Sequence, residues 1–357
     1  MDITKDITTL LEQSACPAFL VHDGIIRYVN QSAKQYGIEI NTEIMPLIHS
    51  GEELYHDFRE GRLCLALEIG GAIVGATADR TETHDVFYLD TEYSDLQMRT
   101  FALVSQILRE PLSGAMSSAE TLSPDVQTAS DPEAAARLQQ LNRNLHRLHR
   151  AICNMSDVAA YETNRTALTG SCEFVSFINE IIRKAADMLE SSGVQIEYSS
   201  PSSPIFGIAD SEKLERAILN LISNAVKFSN KEYPIKICLE KHKQRVVFSI
   251  TNTTDRPAAQ IQGQLFSNYQ RTPGLESSMN GIGLGMSIVR KTALSHGGTV
   301  LFDFPDAQTA RITMHIPIRK KDDRSLRAPV LYPLDYAGGY DHILTELSDI
   351  LSSELYL

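Results

Sequence analysis

Leu138, Leu141, Leu145, Leu148, Ile152, Met155 and Ala159 recur three and four residues apart, an unbroken apolar seam over about six helical turns. A helix carrying such a seam needs another helix to cover it. Asp131 followed by Pro132 marks its start, an N-cap residue with proline at the first helical position. The preceding stretch, Thr91 to Thr121, is also helical in pattern and includes Pro111, and Ser123-Pro124-Asp125 reads as a breaker between the two. Two helices joined this way form an antiparallel hairpin. Apolar surface left on it predicts a second copy and a homodimeric four-helix bundle; a seam packed only within one chain is the alternative.

On either side of this hairpin the pattern mixes strands and helices. Upstream, Pro17 to Val21 and Ile25 to Asn30 are strand-like and are joined by a turn at His22-Asp23-Gly24. Arg62 to Glu68, Ala72 to Ala78 and Asp85 to Leu89 are further strands, with Gly70-Gly71 as a tight hairpin turn. His22, His49, His56 and His84 share no metal-ligand spacing and read as surface or turn residues. Downstream of Gly170, helices are expected at Phe174 to Ser191, Asp210 to Phe228 and Leu284 to His296. Strands are expected at Val194 to Tyr198, Ile235 to Glu240, Arg245 to Thr251, Thr299 to Phe304 and Arg311 to Ile316. This predicts an α/β sandwich, a helical layer on an antiparallel-rich mixed sheet. Asp341 to Leu355 reads as a short amphipathic helix.

The formal net charge of -12 argues against an electrostatic nucleic-acid surface. No apolar run reaches bilayer-spanning length, and the first residues lack the layout of a signal peptide. Cys16, Cys64, Cys153, Cys172 and Cys238 are scattered without a C-x-x-C pair, which suits reduced, buried thiols in the cytoplasm.

Two segments carry chemistry. Gly281-Ile282-Gly283-Leu284-Gly285-Met286 is a glycine-spaced turn opening a helix, where backbone N–H groups and the helix dipole favour phosphate. No Gly-Lys-Ser/Thr follows, so it is not a Walker loop. Asn220 and Asn224 lie one helical turn apart, and Lys227 joins their face. The Asn220 carboxamide oxygen is suited to Mg²⁺, and Asn224 and Lys227 to phosphate. Alone, this pair would read as the polar outer face of a helix. Set one strand pair before the glycine turn, it reads as the other half of an ATP pocket.

At this point a family resemblance is specific. Asp210 to Pro317 resembles the ATP-binding domain of sensor histidine kinases, the GHKL-type fold shared with gyrase, Hsp90 and MutL ATPases. Leu219-Asn220-Leu221-Ile222-Ser223-Asn224-Ala225-Val226-Lys227-Phe228 is similar to the asparagine box, and Leu265 to Arg271 to the lid box within a lid at Asp255 to Asn280. Gly281 to Val289 is similar to the second glycine box, and His296-Gly297-Gly298 to the turn after it, with His296 a helix C-terminal residue favoured by the dipole. The resemblance implies that Asn220, Asn224, Lys227, Asn252, Arg271, Gly281, Gly283, Leu284 and Gly285 hold ATP, with Mg²⁺ on Asn220. Asn252 stands where the family has the adenine-binding Asp, and the two glycines after it are absent. Thr309-Ala310 replaces a Gly-Thr pair that supports the adenine. ATP binding is therefore expected to be weakened, and its loss is the alternative.

Residues 104–113 resemble the phosphoacceptor box, but Gln106 replaces the histidine and Ile107 the neighbouring acid. An amide is not a nucleophile, and isoleucine cannot orient one. Autophosphorylation at the usual place is not expected, and His146 and His149, beside the seam, read as a solvated flank rather than a replacement. Residues 14–90 resemble a PAS sensor domain.

The fold expected is α+β and multidomain: a PAS-like domain at 1–90, a dimerisation hairpin at 91–163, an ATP-binding α/β sandwich at 164–320 and an extension with a short helix at 321–357. The first functional reading is an atypical cytoplasmic sensor histidine kinase. The second is a non-enzymatic pseudokinase that heterodimerises with a competent kinase or docks a response regulator. A stand-alone ATPase is disfavoured because Leu219, not a glutamate, precedes Asn220.

Overall fold

The computed structural model describes residues 3–14, 16–81, 83–90, 95–129, 131–163, 170–254, 284–319 and 338–356. The N-terminal unit contains α1 (Ile3–Gln13), β1 (Ala18–His22), β2 (Ile25–Val29), α2 (Gln31–Lys34), β3 (Ile48–Ser50), α3 (Glu52–Asp57), β4 (Gly61–Ile69), β5 (Ala72–Arg80) and β6 (Asp85–Leu89). Gly70 and Gly71 both have positive φ, the backbone that the tight turn between β4 and β5 requires. Asn30 is fully buried; its side chain caps α2 and also accepts from Ala18 N–H. The strands pair in the order β2-β1-β6-β5-β4, around a core of Phe19, Phe87, Leu63 and Leu65.

α4 (Asp95–Ala129) and α5 (Pro132–Thr163) form the hairpin. Asp131 caps α5, its carboxylate accepting from the Glu133 and Ala134 amides. The expected break at Ser123-Pro124-Asp125 is absent: α4 runs through both Pro111 and Pro124 to Ala129. Proline removes one helical hydrogen bond at a cost of ~3 kcal/mol or more. Continued packing offsets it, because Ser123 and Pro124 lie along a groove shared with Asn142 and Leu145 of α5. The seam divides in two. Leu138, Ile152 and Ala159 are buried, whereas Leu141 and Leu148 stay exposed, as do Leu103, Ile107, Leu108 and Leu122 of α4.

The C-terminal half contains β7 (Ser171–Glu173), α6 (Phe174–Glu190), β8 (Ile196–Ser199), β9 (Phe206–Ile208), α7 (Ser211–Phe228), β10 (Ile235–His242), β11 (Arg245–Thr253), α8 (Gly285–Ser295), β12 (Thr299–Asp306) and β13 (Thr309–Pro317). Glu173 and Asp210 cap α6 and α7 through their carboxylates. The sheet order is β12-β13-β11-β10-β8, antiparallel except for the parallel β10–β8 pair. α6, α7 and α8 cover one face, with Phe174, Ile178, Ile218, Leu221, Val289 and Phe248 in one core.

The N-terminal and C-terminal sheets are continuous. β4 pairs antiparallel with β12, matching Cys64 with Val300 and Arg62 with Phe302. Arg290 of α8 pairs with Asp90 across the same boundary.

The expected helix at Asp341 to Leu355 is shorter than its pattern suggested. α9 spans only His342–Glu346, capped by Asp341, and turns lead to a 3-10 segment at Ser353–Leu355. Its apolar residues Ile343, Leu347, Leu351 and Tyr356 are buried in the core of the C-terminal half. Burial in an existing core stabilises a segment too short to hold a helix alone.

His296 closes α8 as expected, but as a buried group whose pKa is lowered by burial rather than as an exposed cation. Its Nδ1 donates to the Thr292 carbonyl and its Nε2 accepts from the Asp210 amide, which fixes a neutral tautomer joining α8 to the start of α7. The five thiols are free, with Cys64, Cys153 and Cys172 buried; Cys16, expected to be buried, is exposed.

Candidate functional site

α7 places Arg216, Asn220, Ser223, Asn224 and Lys227 along one flank by the 3.6-residue repeat. Asn220 is almost fully buried, because this flank faces the hairpin and the C-terminal segment rather than water. α8 begins beside it: a Cβ at Gly285 would lie 2.6 Å from Asn220 Oδ1, so a larger residue there would displace the Asn220 amide. Leu284 packs its side chain with Ile288, Val158 and Ala159, fixing the start of α8 against α5. The structure thus brings Asn220 and Gly285 together, as the two sequence segments implied. Arg271, Gly281 and Gly283 lie outside the described residues, as does the expected lid.

Two amides carry unused capacity. Asn224 Nδ2 and Asn252 Nδ2 are buried without a hydrogen-bond partner among the described residues. Asn252 sits on β11 opposite Ala310 of β13, so the two departures from the family pattern are cross-strand neighbours. Leaving buried donors unsatisfied costs ~1–3 kcal/mol each. Orphaned donors and a glycine approach fit a polar ligand rich in acceptors, such as a nucleotide.

The remaining groups of this flank engage the protein itself. Arg150 of α5 donates to Asn220 Oδ1 at 3.0 Å, to Ser223 Oγ at 3.3 Å, to Glu346 at 3.1 Å and to Asp349 at 2.9 Å. Lys227 Nζ reaches Asp349 at 2.7 Å, and Arg147 reaches it at 3.0 Å. Arg216 donates to Glu346 at 3.1 Å and to Asn154 at 2.7 Å, and pairs with Asp157. Arg143 donates to the Ser348 and Asp349 carbonyls, each at 3.1 Å. Burial would raise the Asp349 carboxyl, but Lys227 and Arg150 outweigh it and hold the group below the usual carboxylate range. Burial and the nearby Arg150 depress Lys227.

Sequence reading missed Arg150, Arg216, Glu346 and Asp349. A signal was present in Arg143, Arg147, Arg150, Asn154 and Asp157, which repeat at helical spacing on α5. His146 and His149 do not form a solvated flank. His149 is buried and His146 is half-buried, and both pack on Tyr340. Burial with His149 nearby lowers the His146 pKa to about 4. Gln106 and Ile107 are exposed on α4, and Gln106 lines a shallow hollow with Arg109, Glu110 and Ser113.

Glu212, in the first turn of α7, has its pKa raised to about 7 by burial, with Asp210 and Glu215 adding to it. A folded pKa above the unfolded value means stability present below pH ~4.3 and lost as pH rises through about 7. Glu212→Gln should therefore stabilise the chain at pH 8 by ~1 kcal/mol, discounted for partial exposure, and do little at pH 4. Thermal unfolding at the two pH values measures this.

A helical layer on a mixed sheet, with an asparagine helix meeting a glycine-opened helix, defines an ATPase-type domain. Residues 209–320 match the family model for histidine kinase-, DNA gyrase B-, and HSP90-like ATPases. Across 312 residues the chain is 26% identical to hybrid signal transduction histidine kinase D of Dictyostelium discoideum, covering 84% of this chain and 20% of that protein. It is 25% identical to the adaptive-response sensory kinase SasA of Synechococcus elongatus over 228 residues, 60% of this chain and 59% of that one. The structure of full-length ShkA in complex with AMPPNP shares the fold at a TM-score of 0.51 and 21% identity, covering 62% of this chain and 46% of that one. Residues 209–320 thus carry an ATPase domain of the histidine kinase, DNA gyrase B and HSP90 type, and the chain is similar to sensor histidine kinases over most of its length. It spans 20% to 59% of the length of the relatives named here. Among the described residues, no helix is long and apolar enough to cross a membrane.

Proposed function

We propose that this chain is an atypical signalling protein of the two-component type that binds Mg-ATP but does not phosphorylate itself at the usual position. The observation that carries the reading is Asn220 against the Gly285 backbone, together with the buried Asn224 and Asn252 Nδ2 groups that have no hydrogen-bond partner among the described residues. In this reading Asn220 holds Mg²⁺, which supplies charge neutralisation to the triphosphate. Asn224, Lys227 and the N–H groups opening α8 hold phosphate, and Asn252 accepts from the adenine amino group. Arg271, Gly281 and Gly283 complete the set. A neutral amide at Asn252 gives a weaker bond than a carboxylate would, so affinity is reduced. Gln106 offers no nucleophile. Purified chain incubated with Mg²⁺ and γ-labelled ATP is expected to acquire no acid-labile label, whereas labelled histidine would overturn this part of the proposal.

A second reading is favoured by a separate observation. Leu103, Ile107, Leu108, Leu141 and Leu148 leave apolar surface on the hairpin. In this reading the hairpin pairs with a second copy or a competent kinase, or docks a response regulator, and the chain acts as a scaffold. The N-terminal unit, by the strand order β2-β1-β6-β5-β4, is proposed as a PAS-like sensor, and the protein as cytoplasmic. A dimer by light scattering without nucleotide affinity would favour the scaffold.

A further inference from the structure

The C-terminal segment packs its carboxylates against the Asn220–Lys227 flank of α7. Glu346 is completely buried, and its carboxyl group sits between two arginines, Arg150 and Arg216. Asp349 is held by Arg147, Arg150 and Lys227. Asn220 Nδ2 also approaches Glu346 at 3.5 Å. Two carboxylates three residues apart thus occupy a cationic cradle formed by α5 and α7 together. Two of the cradle's groups, Asn220 and Lys227, are those assigned above to Mg²⁺ and phosphate. The Asn220 oxygen suited to the metal instead accepts from the Arg150 guanidinium. A divalent cation and a guanidinium cannot share that oxygen without strong repulsion.

We propose that Glu346 and Asp349 hold the place of a nucleotide's polyphosphate, so that the C-terminal segment and Mg-nucleotide exclude one another on the Asn220–Lys227 flank. The inference rests on the nucleotide reading of that flank and adds its regulation. When the segment leaves, Arg150 and Lys227 become an anion site spanning the hairpin and the ATPase domain. The same event breaks the Arg143 and Arg147 contacts from α5 to the segment, so nucleotide binding loosens the hairpin from the C-terminal segment. Ile343, Leu347 and Leu351 anchor the segment in the core, so it opposes the ligand by apolar burial as well as by charge.

The test uses the full chain and its Glu346→Gln/Asp349→Asn variant, titrated calorimetrically with Mg-AMPPNP at up to millimolar concentration. Hydrogen exchange of residues 342–351 is followed in the unaltered chain, so a variant that folds poorly does not remove the test. The expected results are at least roughly tenfold tighter binding by the variant, about one factor of ten per 1.4 kcal/mol, and faster exchange of 342–351 when nucleotide is added. Equal affinity with unchanged exchange would overturn the exclusion and leave nucleotide binding standing. Absence of heat from both proteins, with unchanged exchange, would overturn the nucleotide reading and the exclusion with it.

Discussion

Replacing Arg216 with alanine is expected to lower the unfolding free energy by ~3–5 kcal/mol, the usual cost of breaking a buried ion pair from one side. Arg216 is one of the largest fully buried side chains, and it joins three elements. From α7 its guanidinium reaches Glu346 in the C-terminal segment and Asn154 and Asp157 on α5. Alanine would leave the Glu346 carboxylate buried with Arg150 as its remaining ion-pair partner among the described residues, and would open a void. Arg216→Lys keeps the charge but not the planar fork, so it should recover only part of the loss. Urea unfolding followed by far-ultraviolet circular dichroism is the measurement, since the chain has no tryptophan to report by fluorescence. A cost below about 1 kcal/mol would mean that the three elements are not held together through this side chain.

Gly61→Ala should separate the two halves of the sheet. Gly61 opens β4 with a φ of 100°, a backbone that alanine adopts only under strain of ~1–3 kcal/mol. An added Cβ would also overlap the Phe302 carbonyl of β12 and sit 3.1 Å from the Asp303 Cα. Both obstacles are backbone, so neither can rotate aside. The β4–β12 pairing around Arg62, Leu63 and Cys64 should therefore open while each half keeps its own core. Hydrogen exchange at residues 62–64 and 300–302 is expected to rise by more than tenfold, and thermal unfolding to divide into two transitions. Unchanged protection at both strands would contradict this account of the junction.

The two halves of the candidate site were legible in sequence to different degrees. Asn220, Asn224 and Lys227 declare their shared face through helical spacing alone, and Gly285 declares a close backbone approach. The structure adds that the approach is to the Asn220 amide itself. What spacing could not give was the occupant of that flank. Glu346 and Asp349 lie more than 100 residues from Asn220 in the chain and reach its flank of α7, at Asn220 and Lys227 respectively, because Ile343, Leu347 and Leu351 are buried in the same core. A carboxylate in a short amphipathic segment carries no sequence signal that it is fully buried between arginines.

The hairpin shows the same division. The repeat of Leu138 to Ala159 predicted a long helix, and its cap at Asp131 was readable from one dipeptide. Which seam residues face α4 and which stay exposed was not readable, because periodicity gives the stripe and not its neighbours. Pro124 misled for a related reason: its local cost is fixed by chemistry, but whether packing against α5 offsets that cost depends on what stands opposite.

By itself, then, the sequence determined the long helices and the longer strands, the asparagine and glycine positions and the absence of a nucleophile at Gln106, because each follows from local geometry or from the chemistry of one side chain; the short elements α1, α2, α3, β3, β7 and β9 were not legible in it. Only the tertiary structure decided that the N-terminal sheet continues through β12 and that α5 and the C-terminal segment close over Asn220. Strand edges and buried charges find partners across the fold, and that choice is made by which surfaces can be buried together.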